Sequence, residues 1–120
     1  MYKTEGTIKM NVYDTANKLA NELRNSDEYL NYKKLKEELN NNIEVKEKME
    51  LFEKARYEVQ LEALKGEEQQ KAKMEEAQKI YAELIQNDFA RRYFDAELKF
   101  NVLLADVNKI IAESVQDVLV

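Results

Sequence analysis

The chain contains no histidine, no cysteine and no proline, and only two glycines, Gly6 and Gly66. Each absence closes a class of function or fold. Without histidine the commonest general base and the usual metal ligand are missing, so a serine triad and the Glu-x-x-His pairs of di-iron bundles cannot be built. Without cysteine there are no disulfides, thiolate metal sites or cysteine nucleophiles. Two glycines and no proline leave too few turn residues for a β-rich fold, and strand-like alternation is also lacking. Long apolar runs are absent too. In the most apolar segment the longest uncharged stretch is Phe100 to Ala105, far below the ~20 residues that span a bilayer. The start, Met1 to Met10, carries Lys3, Glu5 and Lys9 without an apolar centre, unlike a secretory signal. A cytoplasmic protein is the expectation.

Excess positive charge is missing as well. Residues 1–60 carry 11 basic and 12 acidic side chains, residues 61–120 carry 8 and 12, and the formal net charge is −5. The densest basic cluster, Lys33, Lys34 and Lys36, is followed at once by Glu37 and Glu38. Binding a phosphate backbone needs a basic stripe, so nucleic acid is not expected as a partner.

What the chain does have is helical pattern. Hydrophobic residues make up 44% and charged ones 36% of its 120 residues, enough to bury a core and typical of helical bundles. Residues 1–9 read as a lead-in and residues 10–120 as one helical domain. A first helix shows Met10, Tyr13, Ala16, Ala20 and Leu23, with Val12 and Leu19 beside the stripe. Asn25-Ser26-Asp27 breaks it and caps a short second helix, about Asp27 to Leu39, with Tyr29, Tyr32, Leu35 and Leu39 on its apolar face. Asn40-Asn41-Asn42 stops that helix, asparagine being tolerant of left-handed backbone and a good cap. A third helix, about Ile43 to Lys65, carries Val45, Met49, Phe52, Ala55, Val59 and Ala63, widened by Leu61 and Leu64. Gly66 ends it. Glu67 and Glu68 open a fourth, to about Gln86, with Met74, Ala77, Tyr81 and Leu84 inward and Ile80 and Ile85 flanking. Asn87-Asp88 makes the last break, with Asp88 as the expected N-cap. The short connections favour antiparallel neighbours. The expected fold is all-α: an elongated antiparallel bundle of about five helices with a long C-terminal helix.

That last helix, Phe89 to Leu119, organises the rest. Phe89, Tyr93, Ala96, Phe100, Leu103, Val107 and Ile110 follow steps of four and three, and Leu104, Ile111 and Val118 add a second line at steps of seven. A stripe this wide requires cover from more than one side. At ~1.5 Å per residue the helix is ~46 Å long, whereas a compact chain of this size is ~35 Å across. Its C-terminal apolar residues therefore outrun the chain's own cover. A second copy is the simplest supplier, because most small oligomers are symmetric dimers. The expected dimer interface is Phe100, Leu103, Leu104, Val107, Ile110, Ile111 and Val118.

Other constellations admit two readings. Glu44, Glu47, Glu50 and Glu53 recur every third residue and drift around a helix without converging. They form either a salt-laced solvent face or a weak divalent-cation site. Arg91 and Arg92 in a first helical turn oppose the dipole; they mark an anionic contact, or are compensated by Asp88 and Asp95. Asn101 and Asn108 fix register at a seam if buried and do nothing special if exposed. No catalytic, cofactor or metal residues emerge.

The segment Phe100-Asn101-Val102-Leu103-Leu104-Ala105-Asp106-Val107-Asn108-Lys109-Ile110-Ile111 resembles the small bacterial family that includes YlbF, YmcA and YheA. The likeness extends from Met10 through Tyr13-Asp14, Ser26-Asp27-Glu28-Tyr29, Leu64-Lys65-Gly66-Glu67-Glu68 and Ala96-Glu97. With its short cysteine-free C-terminus the chain looks most like the YheA branch. The resemblance implies an all-helical, dimer-forming, non-enzymatic cytoplasmic protein. It also implies a regulatory adaptor role in a complex that influences competence, sporulation, biofilm formation and RNA processing through a ribonuclease. Some members of that complex help hold iron–sulfur clusters with cysteines, which this chain cannot supply. An RNA-binding accessory protein of a ribonuclease complex is the alternative, and an enzyme resting on a carboxylate–metal site is the third class.

Overall fold

A computed structural model describes residues 11–119. The lead-in expected over residues 1–9, and Met10 of the first stripe, lie outside the described residues. Among the described residues six helices follow one another: α1 (Val12–Arg24), α2 (Asp27–Leu39), α3 (Ile43–Glu62), α4 (Glu67–Leu84), α5 (Asp88–Ser114) and the single turn α6 (Gln116–Leu119). No strand occurs among the described residues.

Short polar side chains set the starts. Asn11 accepts from the Tyr13 amide at 2.7 Å, Ser26 from Tyr29 at 3.2 Å, Asn42 from Val45 at 3.4 Å and Asn87 from Ala90 at 3.0 Å. Each satisfies an amide that has no partner inside its helix. The N-cap of α5 is thus Asn87, not Asp88; Asp88 is already helical and ion-pairs with Arg91. The Asn40-Asn41-Asn42 run works by capping alone, since no described non-glycine residue has a positive φ. Gly66 does: at φ 140° and ψ 163° it takes a conformation nearly confined to glycine, and it turns the chain from α3 into α4. The third helix ends at Glu62 instead of Lys65. Leu64 and Lys65 donate to Leu61 and Glu62 in tight i→i−3 turns, a common way for a helix to close.

Two antiparallel pairs build the molecule. α3 and α4 form a hairpin, with Phe52 facing Tyr81 and Glu58 paired to Lys73 at 3.2 Å. α2 packs on the first half of α5. An aromatic seam joins the pairs: the Phe94 ring lies 5.6 Å from Phe52, 5.1 Å from Tyr81 and 6.3 Å from Tyr93. Around it the buried core gathers Leu35, Val45, Met49, Phe52, Ala55, Ala77, Leu84, Ala90, Tyr93 and Ala96. Met74, Leu61 and Leu64, read as inward or widening, are exposed. They sit toward the turn of the α3–α4 hairpin, where no third helix covers them.

The long final helix is shorter than expected. It closes at Ser114, whose hydroxyl donates to the Ile111 carbonyl at 2.7 Å; Val115 leaves helical geometry at φ −121° and ψ 14°, and α6 follows. The elongation is larger than the helix alone demands. The radius of gyration is 19.9 Å and the extents are 60 × 38 × 19 Å, against ~13.6 Å for a compact chain of this length.

Candidate functional site

The structure divides α5 in two. Its first half carries Ala90, Tyr93 and Ala96 into the core. Cover by α2 ends at Phe100. The α2 helix runs antiparallel to α5, so its residues meet descending positions: Tyr29 packs edge-on against Phe100 at 5.8 Å, Tyr32 lies 5.9 Å from Phe100 and 5.7 Å from Tyr93, and Lys36 donates to the Tyr93 hydroxyl at 3.3 Å. The start of α2 therefore sits level with Phe100, and nothing from α2 reaches further along α5.

Beyond that level apolar residues stand open. Of the seven expected contact residues, Phe100, Leu103 and Val107 are half-buried, while Leu104, Ile110, Ile111 and Val118 are exposed, Ile110 to 68% and Ile111 to 51%. The α1 helix was expected to present an apolar face, and it does, with Ala16, Leu19, Ala20 and Leu23 on one side; yet it contributes no residue to the core. Sequence reasoning singled out α5 and passed over α1, although the i, i+3, i+4, i+7 spacing was legible in both.

Polar features are accounted for locally. Arg91 donates to the Ile85 carbonyl at 2.7 Å as well as pairing with Asp88, so its charge serves the negative end of α4. Arg92 lies over the Phe89 ring at 5.7 Å, and Asp95 pairs with Lys99, not with Arg91. Asn101 and Asn108 are exposed. No group of three or more carboxylates among the described residues is placed to hold a metal ion. An open cleft of about 620 Å³ between α2, α3 and α5 is lined by Lys36, Lys46, Glu50, Glu53, Tyr93 and Glu97. Glu97 of that lining accepts from the Tyr32 hydroxyl at 3.1 Å, and burial, followed by the Glu97 charge, pushes the Tyr32 hydroxyl above its ordinary pKa. That tyrosine is a fixed hydrogen-bond donor at neutral pH and a poor proton acceptor. The cleft holds mixed charge and no poised nucleophile.

Capped amphipathic helices, an aromatic seam and a long helix that leaves its core halfway define an all-helical protein with a large uncovered apolar surface. The chain belongs to the YlbF/YmcA family, described as control of competence regulator ComK, which it matches over residues 12–116. Relatives at whole-chain length are proteins designated UPF0342. That of Caldicellulosiruptor bescii is 33% identical over 106 residues, 88% of this chain and 89% of the relative. That of Bacillus pumilus is 32% identical over 110 residues, 92% and 93% of the two chains. That of Symbiobacterium thermophilum is 35% identical over 104 residues, 87% and 93%.

Proposed function

We propose that this chain is a non-enzymatic, cytoplasmic regulatory or adaptor protein that acts through helix-mediated contacts, first with a second copy of itself. The observation that carries the reading is the second half of α5, where an apolar stripe continues after its cover has ended. The contact residues are Phe100, Leu103, Leu104, Val107, Ile110, Ile111 and Val118. The family's association with control of a competence regulator supports a regulatory role. Within the family we place the chain in the YheA branch on its lack of cysteine; a tree built on residues 12–116 that groups it with YlbF or YmcA overturns that placement.

Ile111→Asp tests the reading. It sets a carboxylate in an apolar seam twice over, once per subunit, at a cost of several kcal/mol. Light scattering at ~100 µM, far above the dissociation constant of an ordinary obligate dimer, should give two chain masses for the native protein and one for the variant, with Glu75→Ala unchanged. A strain whose only copy carries Ile111→Asp should show the defect of a deletion strain. Full function from a monomeric variant, or RNA copurifying with the native protein at ~150 mM salt, overturns the adaptor reading.

A further inference from the structure

We propose that the open cleft between α2, α3 and α5 binds short zwitterionic peptides of tripeptide length, the carboxylate at a lysine pole and the ammonium at a glutamate pole. The inference stands apart from the uncovered half of α5. The cleft uses only the first half of that helix, and its lining comes from a single chain.

Both signs of charge line the cleft without neutralising one another. Elsewhere opposite charges meet: Arg56 with Glu53, Lys73 with Glu58 and Glu76, Lys99 with Asp95. In the cleft Lys36, Lys46, Glu50 and Glu97 make no ion pair among the described residues. Neutral groups hold three of them instead. Lys36 Nζ donates to the Tyr93 hydroxyl at 3.3 Å and lies 5.1 Å and 5.9 Å from the centres of the Tyr32 and Tyr93 rings. Lys46 Nζ donates to Asn40 Oδ1 at 3.1 Å, across the corner from α2 to α3. Glu97 accepts from the Tyr32 hydroxyl at 3.1 Å. Lys46 and Glu50 stand four apart, but lysine ahead of glutamate is the weaker order for such a pair, and Asn40 takes the ammonium. A neutral partner orients a charged head without cancelling its charge. Each ammonium keeps further donors and each carboxylate further acceptor sites for a ligand.

The two poles are separated in space. Lys46 stands at the α2–α3 corner and Lys36 on the α2 wall. Glu50 and Glu53 follow Lys46 along α3 by about one and two turns. Glu97 is level with Tyr32, which lies further from the corner than Lys36 does. From Lys46 to Glu53 the helical rise gives ~10.5 Å, and three extended residues span ~10 Å. Between the poles the lining is apolar: Leu39, with the buried Met49 and Tyr93. The volume, about 620 Å³, falls inside the ~300–1,000 Å³ range of small-molecule sites. An ion of one sign is attracted at one pole and repelled at the other. Two lysines against three glutamates also leave no basic field for a phosphate chain. A free tripeptide answers both poles: it carries one charge of each sign at the matching spacing, and its middle side chain can rest on the apolar floor.

The test titrates the full chain with the peptide alanyl-leucyl-alanine and reads the methionine methyl groups by NMR. Met49 lies in the cleft, and the exposed Met74 near the α3–α4 turn reports adsorption elsewhere. The free peptide should shift the Met49 methyl with a dissociation constant of ~1 mM or tighter and leave Met74 in place. Acetylating its amine or amidating its carboxylate removes one charge, and either should weaken binding at least ~10-fold. Two substitutions assign the poles. Lys36 is exposed and Glu97 half-buried, and Glu97→Gln keeps an acceptor for Tyr32. Lys36→Gln should weaken the free and the acetylated peptide ~5-fold or more and leave the amidated one unchanged; Glu97→Gln should spare only the acetylated one, the pattern of a cycle between protein and ligand charges. No Met49 shift up to ~50 mM, far above the expected constant, overturns the inference. So does an equal Met74 shift, or equal binding of free and capped peptides, which would make the cleft an apolar trough. An equal effect of Lys36→Gln on all three peptides overturns the lysine pole. The capped peptides are compared on native protein, so a variant that fails to fold leaves the test intact, and the α5 reading stands or falls separately.

Discussion

At the residue scale the most informative side chain is Tyr32. Its ring is held between Tyr93 and Phe100, Lys36 lies over its face at 5.1 Å, and its hydroxyl donates to Glu97 at 3.1 Å. Tyr32→Phe keeps the ring contacts and deletes the donor. The expected loss is ~1–2 kcal/mol, the worth of a hydrogen bond to a charged acceptor that is partly exposed, read by urea unfolding at neutral pH. The pH dependence has a definite sign. The folded state holds the Tyr32 proton more tightly than the unfolded chain, because burial and the Glu97 charge disfavour tyrosinate. This contribution is complete below the ordinary tyrosine value of ~10 and is lost as pH rises above it. Native protein should therefore lose stability more steeply than Tyr32→Phe above pH ~10. Equal slopes would mean that neither burial nor the Glu97 charge holds this proton in the folded state. For Tyr32 the ring's place was legible; the acceptor, 65 residues away, was not, because no local spacing records a contact between α2 and α5.

At the element scale helix existence was legible and helix neighbours were only partly so. Ser26 and the Asn40-Asn41-Asn42 run marked two helix boundaries, the Asn87-Asp88 break marked a third with the cap one residue away, and Gly66 marked the one corner among the described residues that has a positive φ. Ends shifted by three residues in α3, two in α4 and five in α5, where tight turns replaced the last α-turn. The larger misreading concerned which stripe residues are covered. Periodicity places a residue on a face, but cover depends on how far the opposite helix extends. Leu84 and Met74 lie on one stripe of α4, yet Leu84 is 1% exposed and Met74 44%. Leu84→Ala should cost ~2–5 kcal/mol, the range for truncating a buried leucine. Met74→Ala should cost about 1 kcal/mol or less, since nearly half of its surface is already in water. Denaturant midpoints at matched slope measure both, and a large loss for Met74→Ala would show that this end of the hairpin is covered in solution.

At the scale of the whole molecule the chain is a core with segments that add nothing to it, α1 and residues 101–114 of α5, together called its arm, and the two parts differ in what stabilises them. The core closes on itself through the aromatic seam. The arm rests on two stretches of roughly four turns each, and isolated helices of that length are marginal in water. Its order should then depend on association, and any partner that binds only the folded state stabilises it by mass action. Dilution supplies the measurement. Between ~100 µM and the concentration at which the dimer dissociates, the thermal midpoint should fall, and the far-UV helical signal at 20 °C should drop by up to about a quarter, the share of helical residues that the arm holds. The near-UV tyrosine signal of the seam should persist, because Tyr32, Tyr81 and Tyr93 belong to the part that closes without help. A helical signal and midpoint that stay flat over ~100-fold dilution, in a protein that scatters as a single chain throughout, would mean that the arm holds its shape alone and that its apolar stripe is free for a different partner.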